Sequence, residues 1–371
     1  MIRKLCLLSA LLSASLALIG CDQSEPGVQY FDPAAYPERL SQWHLLKMTE
    51  DALVFSEEAV IYDLNTPLFS DYAQKLRTVW LPNGQSAEYA DYEAFDFPVG
   101  TIISKTFFYP EAAETGFVKT SYEWPKSGNS LPVLGLNILE TRLLVKQADG
   151  WDALPYVWRG DDAYLKIAGD YIPLKVDHET GVVEDLPYIV PTRNECAACH
   201  ATNHSTGELL PIGLKARHLN REFRSASNQL LHWQQLGILR GVPEDPPALT
   251  RWNDTNATLE DRARAYLDVN CGHCHNLNGA ADTSGLFLDT ATTSMRELGT
   301  CKPPIAAGGG SGGHQYSIVP GRPDESILVF RMATSDPATR MPELGRSLVH
   351  LAATNLLTDW IVSLPGECIE G

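Results

Sequence analysis

Thr258-Leu259-Glu260-Asp261-Arg262-Ala263-Arg264-Ala265-Tyr266-Leu267-Asp268-Val269-Asn270-Cys271-Gly272-His273-Cys274-His275 reads as a capped helix that delivers a reactive pentapeptide. Thr258 with Asp261 three residues on is a capping start. Leu259, Ala263, Tyr266 and Leu267 then recur at helical spacing up to Cys271. The helix thus makes the C-terminal part of the chain α-helical and ties its fold to Cys-x-x-Cys-His. That pentapeptide is the attachment site of c-type haem. Two thiols separated by two residues reach neighbouring vinyl edges of one porphyrin, and the adjoining His turns a nitrogen toward the iron. A second copy stands upstream, Cys196-Ala197-Ala198-Cys199-His200. One copy is compatible with chance or with half of a zinc site. Two copies in an exported chain point to two covalently attached c-type haems, held by Cys196, Cys199, Cys271 and Cys274, with His200 and His275 as axial ligands. Zinc is the poorer reading, because each motif offers two thiolates and one His with no evident fourth partner.

Downstream, Val349, Ala352, Ala353, Leu356, Trp360 and Ile361 form a second amphipathic pattern. Between the two helices lie Pro320-Gly321-Arg322-Pro323-Asp324-Glu325-Ser326-Ile327-Leu328 and Arg340-Met341-Pro342-Glu343. A helix running into Cys-x-x-Cys-His, a turn with a short helix, and a closing helix resemble class I cytochrome c. The resemblance implies an all-α fold for residues 258–371. Met341 is then the expected sixth ligand of the second haem, since its thioether is a soft neutral donor and Pro342 stiffens the loop. Met332 is the weaker alternative, and His350 is expected to be solvated or capping. A His/Met pair raises reduction potential and closes the iron to substrate, which suits electron transfer. Ala306 to His314 lacks the Gly-Lys-Ser/Thr ending of a phosphate loop and any strand signal before it, and reads as a flexible insertion.

Upstream, the text changes character. Val79-Trp80-Leu81, Thr101 to Tyr109, Thr141 to Lys146, Tyr156-Val157-Trp158 and Tyr171 to Leu174 are runs rich in β-branched and aromatic residues. Asn83-Gly84, Val99-Gly100, Asp149-Gly150 and Gly169-Asp170 punctuate them as turns. The expected fold is α+β: an antiparallel β-rich domain over 51–240, ending in the first haem motif and a short helix near Ser227 to Leu239, then a Pro-rich linker over 241–257, then the cytochrome c-like domain. Tyr188 to Asn194 reads as extended, so no helix feeds Cys196. A β-rich unit ending in its haem motif resembles the β-type cytochromes c′ and their lysine-crosslinked relatives. In those the face opposite the motif His can be open. Lys105 and Lys119 lie in the region, but no motif marks either for a crosslink. For a sixth ligand His218 is favoured over His204, His232, His178 and His44, because enough chain intervenes for it to return across the haem; a vacant site is the competing reading.

The N-terminus places the chain. Arg3 and Lys4 precede an apolar run from Leu5 to Ile19, the pattern of an export leader over 1–20. At about 15 residues it is short for a membrane span. Leu18-Ile19-Gly20-Cys21 resembles a bacterial lipobox, which implies lipid on Cys21, a tether over 21–50, and a lipid anchor as the only hold on the membrane. Asp22 resembles the signal that retains lipoproteins on the inner membrane. Of eight Cys, Cys6 leaves with the leader, Cys21 takes lipid and four take haem. Cys301 and Cys368 remain as an even pair in an oxidising compartment and are expected to form a disulfide. Net charge is −17, and loss of Arg3 and Lys4 takes it to −19 (27 basic against 46 acidic residues). That balance argues against nucleic acid and suits a basic partner.

Over nearly all its mature length the chain resembles an uncharacterised family of bacterial dihaem c-type cytochrome lipoproteins. The matching features are Thr66-Pro67-Leu68-Phe69-Ser70-Asp71-Tyr72, Glu140-Thr141-Arg142-Leu143-Leu144 and the Pro191-Thr192-Arg193-Asn194 approach to Cys196. The resemblance implies redox partner proteins, among them a parallel β-helix repeat protein encoded nearby. The expected function is a lipid-anchored, periplasm-facing electron carrier. The alternative is a haem enzyme or ligand sensor with an open first haem, acting on peroxide or a small N-oxide and fed by the second.

Overall fold

The computed structural model describes residues 26–369 apart from 126–127, 202, 224–226 and 306; the segment 1–20 expected to be a leader and Cys21, expected to carry lipid, lie outside the described residues. Strands β1 (Leu46–Met48), β2 (Ala52–Phe55) and β3 (Val60–Tyr62) lead into β4 (Gln74–Trp80), β5 (Ala87–Glu88) and β6 (Ile102–Pro110). They are followed by β7 (Phe117–Lys119), β8 (Ser130–Pro132), β9 (Leu136–Gln147) and β10 (Gly150–Arg159). The series closes with β11 (Asp162–Leu165), β12 (Asp170–Asp177) and β13 (Val183–Val190). Helices α1 (Arg193–His200), α2 (Ala216–Leu219) and α3 (Gln229–Gln235) come next, then β14 (Leu239–Arg240). Helices α4 (Leu259–Asn270), α5 (Ile327–Ala333) and α6 (Leu351–Ser363) form the C-terminal region. The architecture is α+β, with the β-rich part first and the helical part after it.

The main sheet has the order β11-β10-β9-β6-β4-β3, all antiparallel. Side chains alternate across it. One face carries Leu76, Leu143, Val145, Leu154, Tyr156 and Trp158, packed on Leu40, Trp43, Leu46 and Phe55. Hydroxyls on that face pair with each other, Thr78 with Ser104 at 2.6 Å and Thr106 with Thr141 at 2.8 Å. The other face carries Val79, Ile103, Phe107 and Val157, and against it the candidate site is built. Two pairings, β7 with β12 and β5 with β14, are parallel, a departure from the antiparallel expectation. Both involve strands too short to announce themselves in sequence.

Two segments differ from their reading. Within the expected tether, Leu40, Trp43 and Leu45 are fully buried. Pro33 and Pro37 exclude an α-helix there but do not prevent a 3₁₀ turn from folding its large apolar residues into the core. The helix expected from Ser227 to Leu239 stops at Gln235, because Gly237 turns left-handed (φ 73°) and Leu239–Arg240 pairs with β5 instead. In the C-terminal region α4 and α6 bury Ala263, Tyr266 and Leu267 against Leu356, Leu357, Trp360 and Ile361. Glu260 accepts the indole N–H of Trp360 across that contact.

Candidate functional site

The first motif sits on a helix of its own. Extended chain ends at Val190, and Thr192 caps α1: its Oγ1 accepts from the Glu195 N–H at 3.1 Å while Glu195 accepts from the Thr192 N–H at 2.8 Å. Thr192 and Glu195 were legible as a capping box, so helical Arg193 and Asn194 correct the extended reading. Arg193 also bonds Asp152 at 2.6 Å and ties α1 to β10. The second motif follows α4 directly, with Cys271 as its C-cap. Gly272 is required there, because a Cβ would stand 2.7 Å from the Asp268 carbonyl oxygen and 3.0 Å from Asp289 Cα.

Both motif imidazoles are aimed by backbone carbonyls. His200 Nδ1 lies 2.8 Å from Leu210 O, and His275 Nδ1 lies 3.2 Å from Leu286 O. A carbonyl only accepts, so each Nδ1 carries the proton and each Nε2 keeps its lone pair. Burial, reinforced for His200 by the Lys105 charge, pushes His200 down to about 3 and lowers His275 as well. Neutral, Nδ1-protonated imidazoles are the form that ligates iron.

The tertiary structure joins the two motifs. The Cys274 thiol points at Ala198 O, 3.6 Å away, and the His204 N–H bonds Asn278 O at 2.8 Å. Cys196, Cys199, His200, Cys271, Cys274, His275 and Met341 all line one cavity of about 690 Å³. The four motif thiols are unpaired, while Cys301 and Cys368 form a disulfide with Cα atoms 5.2 Å apart. Among the described residues, no three His, Cys, Asp or Glu side chains gather around one point as a metal-ion group. The lining carries six Lys and Arg (Arg77, Lys105, Arg142, Arg331, Arg340, Arg346) against three carboxylates (Asp71, Glu195, Glu343). A basic cavity in a strongly acidic chain suits a group bearing carboxylates. On donor set and charge, the cavity lining fits haem.

Met341 stands on a loop held from two sides. Arg346 is 4% exposed and donates to the carbonyls of Met341, Leu348, Arg331 and Thr334, at 3.0–3.1 Å. From the β-rich part, Asp71 accepts the N–H groups of Ser347 and Leu348, each at 2.7 Å. Asp71 and Tyr72 are consecutive non-glycine residues with φ 51° and 65°, a strained pair. The Tyr109 hydroxyl steadies it at Asp71 O, 2.5 Å away. Met332, the alternative, is 7% exposed in the α5 core and also reaches the cavity lining. The Thr66 to Tyr72 segment is the seam of the molecule: Phe69 N–H also bonds Asn270 Oδ1 at 2.7 Å, and Tyr72 OH bonds Val349 O at 2.9 Å.

His218, the favoured sixth ligand of the first haem, does not line the cavity. It is 2% exposed and its Nε2 lies 2.9 Å from Asp268, which also takes two bonds from Arg217. Burial holds His218 neutral, so Arg217 supplies the charge and His218 a neutral N–H. The return of chain toward the first motif, read as bringing an imidazole to iron, instead brings it to the flank of α4. His204 is half exposed beside Asp282, His178 pairs with Glu184, and His44 is half-buried in a left-handed turn. Those three and His232 are absent from the lining.

His350, expected as a solvated or capping residue, lines the cavity, stacked at 4.2 Å on Phe69 with Tyr72, Trp252 and Tyr266 around it. Burial, then the Lys75 and Arg346 charges, push it down to about 3. The unfolded chain takes up that proton near pH 6.5. Between pH 6.5 and 3 the unfolded state therefore binds more protons, and stability falls as pH drops through that window. Urea midpoints at pH 7 and pH 5 test this: the loss on acidification is smaller in His350→Phe, which keeps the stack. An equal loss in both proteins would remove His350 from the account.

No family model matches this chain, and neither does any curated protein or solved structure.

Proposed function

We propose that this chain is a dihaem c-type electron carrier, exported, anchored by lipid on Cys21 to the inner membrane and facing the periplasm. Cys196 and Cys199 hold one haem and Cys271 and Cys274 the other, with His200 and His275 as axial ligands and Met341 completing the second site in a class I cytochrome c-like region. When bound, two such groups supply one-electron redox chemistry. The observation that carries the reading is the contact between the motifs, Cys274 Sγ against Ala198 O at one cavity. Residues that attach two porphyrins side by side place them within transfer distance, which a storage or single-ligand role does not require. The chain's own residues hold the imidazoles neutral, close the Met341 loop and wall the cavity with apolar side chains. No helix among the described residues is long and apolar enough to cross a membrane; the anchor proposed is lipid on Cys21. The acidic surface suits a basic redox partner; a parallel β-helix repeat protein is proposed as a companion.

The test is attachment. Full-length protein made with a haem-ligating export pathway is expected to carry two haems that survive acid-acetone extraction, by intact mass. Cys196→Ser/Cys199→Ser and Cys271→Ser/Cys274→Ser are each expected to lose one. Colourless wild-type protein, or pair variants that keep both haems, overturns the proposal. A second reading, an enzyme or sensor with an open first haem, is favoured by one observation: His218, His204, His232, His178 and His44, the residues weighed as its sixth ligand, are all absent from the cavity lining.

A further inference from the structure

We propose that Lys105 takes a carboxylate of the haem attached at Cys196 and Cys199, the sheet around it forming a seat for a flat apolar group with one anionic edge; the inference rests on the haem reading above. Strand register lays out that wall in rows, because side chains two apart share a face. Val79, Ile103, Leu144 and Ala153 lie opposite one another across β4, β6, β9 and β10. The next row on the same face is Arg77, Lys105, Arg142 and Pro155. Apart from Val79, every member of the two rows lines the cavity. An apolar row is thus followed directly by a row with three cations. The row after it, Lys75, Phe107, Glu140 and Val157, stands behind the lining.

Two of the three cations are compensated. Arg77 pairs with Asp63 at 2.7 Å, and Arg142 makes two bonds, at 2.8 and 2.5 Å, to Glu140, a buried carboxylate that also accepts from Tyr188 OH at 2.6 Å. Lys105 has no ion pair and no hydrogen bond among the described residues; its ammonium lies 5.5 Å from the centre of the Phe107 ring. Arg142 and Lys75 lie over the same ring, at 4.4 and 5.6 Å, so like charges are its neighbours. The carboxylates of the lining are placed elsewhere: Asp71 on the Ser347 and Leu348 N–H groups, Glu195 on the Thr192 N–H, Glu343 beside Arg331. The wall is one anion short, and an unpaired ammonium in a water-poor site is costly until an anion meets it. Helix α1 indicates which anion. It packs on β10, where Arg193 ties it through Asp152 at 2.6 Å. Lys105 stands two strands further into the sheet, about 10 Å at the spacing of paired strands. That is the reach of a porphyrin from the thioether edge, held by α1, to its carboxylate edge. A free small anion needs the cation but makes no use of the apolar row beside it.

The experiment is a redox titration of the purified dihaem protein, with resonance Raman spectra of both redox states, on wild type, Lys105→Met, Lys105→Arg and Lys119→Met, the last an exposed charge on β7. The thioether charge-transfer band follows the second haem and the remaining absorbance change the first. Lys105→Met is expected to shift the ferric-to-ferrous ratio of the first haem about tenfold toward ferric, or about 59 mV. That is the effect of one unit charge roughly 10 Å away at a dielectric of about 20. The propionate bending modes of that haem are expected to move with it. Lys105→Arg is expected to keep both readouts, and Lys119→Met to change neither. Unmoved propionate modes in Lys105→Met overturn the proposal, and so does a shift confined to the second haem. A wild-type potential that follows added acetate or azide, with propionate modes unmoved in Lys105→Met, overturns it in favour of a free anion. Intact mass distinguishes these failures from failure of the haem reading, in which the first motif carries no haem.

Discussion

Asp268→Ala is expected to destabilise the protein by about 3–5 kcal/mol, the cost of breaking a buried ion pair by removing one partner. Asp268 is 4% exposed on α4, three residues before Cys271, and accepts from Arg217, His218 and the Thr290 N–H at 2.8 Å. Burial alone would raise its pKa, but the His218 hydrogen bond and the Arg217 charge outweigh it and hold the carboxyl well below the usual range. Without it, Arg217 keeps only the Tyr92 carbonyl at 2.6 Å, a buried charge with no counterion. Equilibrium urea unfolding followed by tryptophan fluorescence measures the loss; a change under about 1 kcal/mol would mean that solvent already reaches the network. Because Arg217 and His218 belong to the β-rich part and Asp268 to α4, the variant also loosens one motif from the other. His218→Gln, in contrast, is expected to leave the spectrum of the first haem unaltered, which separates a clamp from an iron ligand.

Met341→Ala is expected to abolish the thioether-to-iron charge-transfer band of the second haem. It should also lower that haem's potential by on the order of 0.1 V or more, within the ~0.8 V that axial ligands command. The thioether favours ferrous iron, so its loss favours ferric. The loop itself should survive, because Arg346 and Asp71 hold its backbone independently of the Met341 side chain. Redox titration with near-infrared absorbance gives both readouts, and Met332→Leu serves as the comparison. If the band persists in Met341→Ala and vanishes in Met332→Leu, the ligand has been misassigned.

Much of this site was legible in one dimension. The two pentapeptides, the Thr258 cap, the α4 and α6 patterns and the strands around Thr101 to Tyr109 and Thr141 to Lys146 depend on neighbours within a turn or a strand. Thr192 and Glu195 also spell a capping box in the sequence, whereas the role of Thr66 to Tyr72 as the seam depends on Asn270, Ser347, Leu348 and Val349, far along the chain. His218 could not have been placed by spacing. Its burial is decided by a carboxylate fifty residues later, and an imidazole that returns across a chain can meet an acid as readily as an iron.

By itself the sequence determined what is local: the two Cys-x-x-Cys-His pentapeptides, the helix that delivers the second, and the cysteines left over to pair as Cys301 and Cys368. Only the tertiary structure decided that the two pentapeptides touch, that Arg346 and Asp71 hold the Met341 loop, and that Lys105 lines the cavity the two motifs share. Strand register is the physical reason for the last. Side chains alternate with period two, so a one-residue slip of β6 against β9 would turn Lys105 away and leave a different wall. That register is set by burial of the opposite face on Trp43 and Phe55, residues with no sequence proximity to the chemistry.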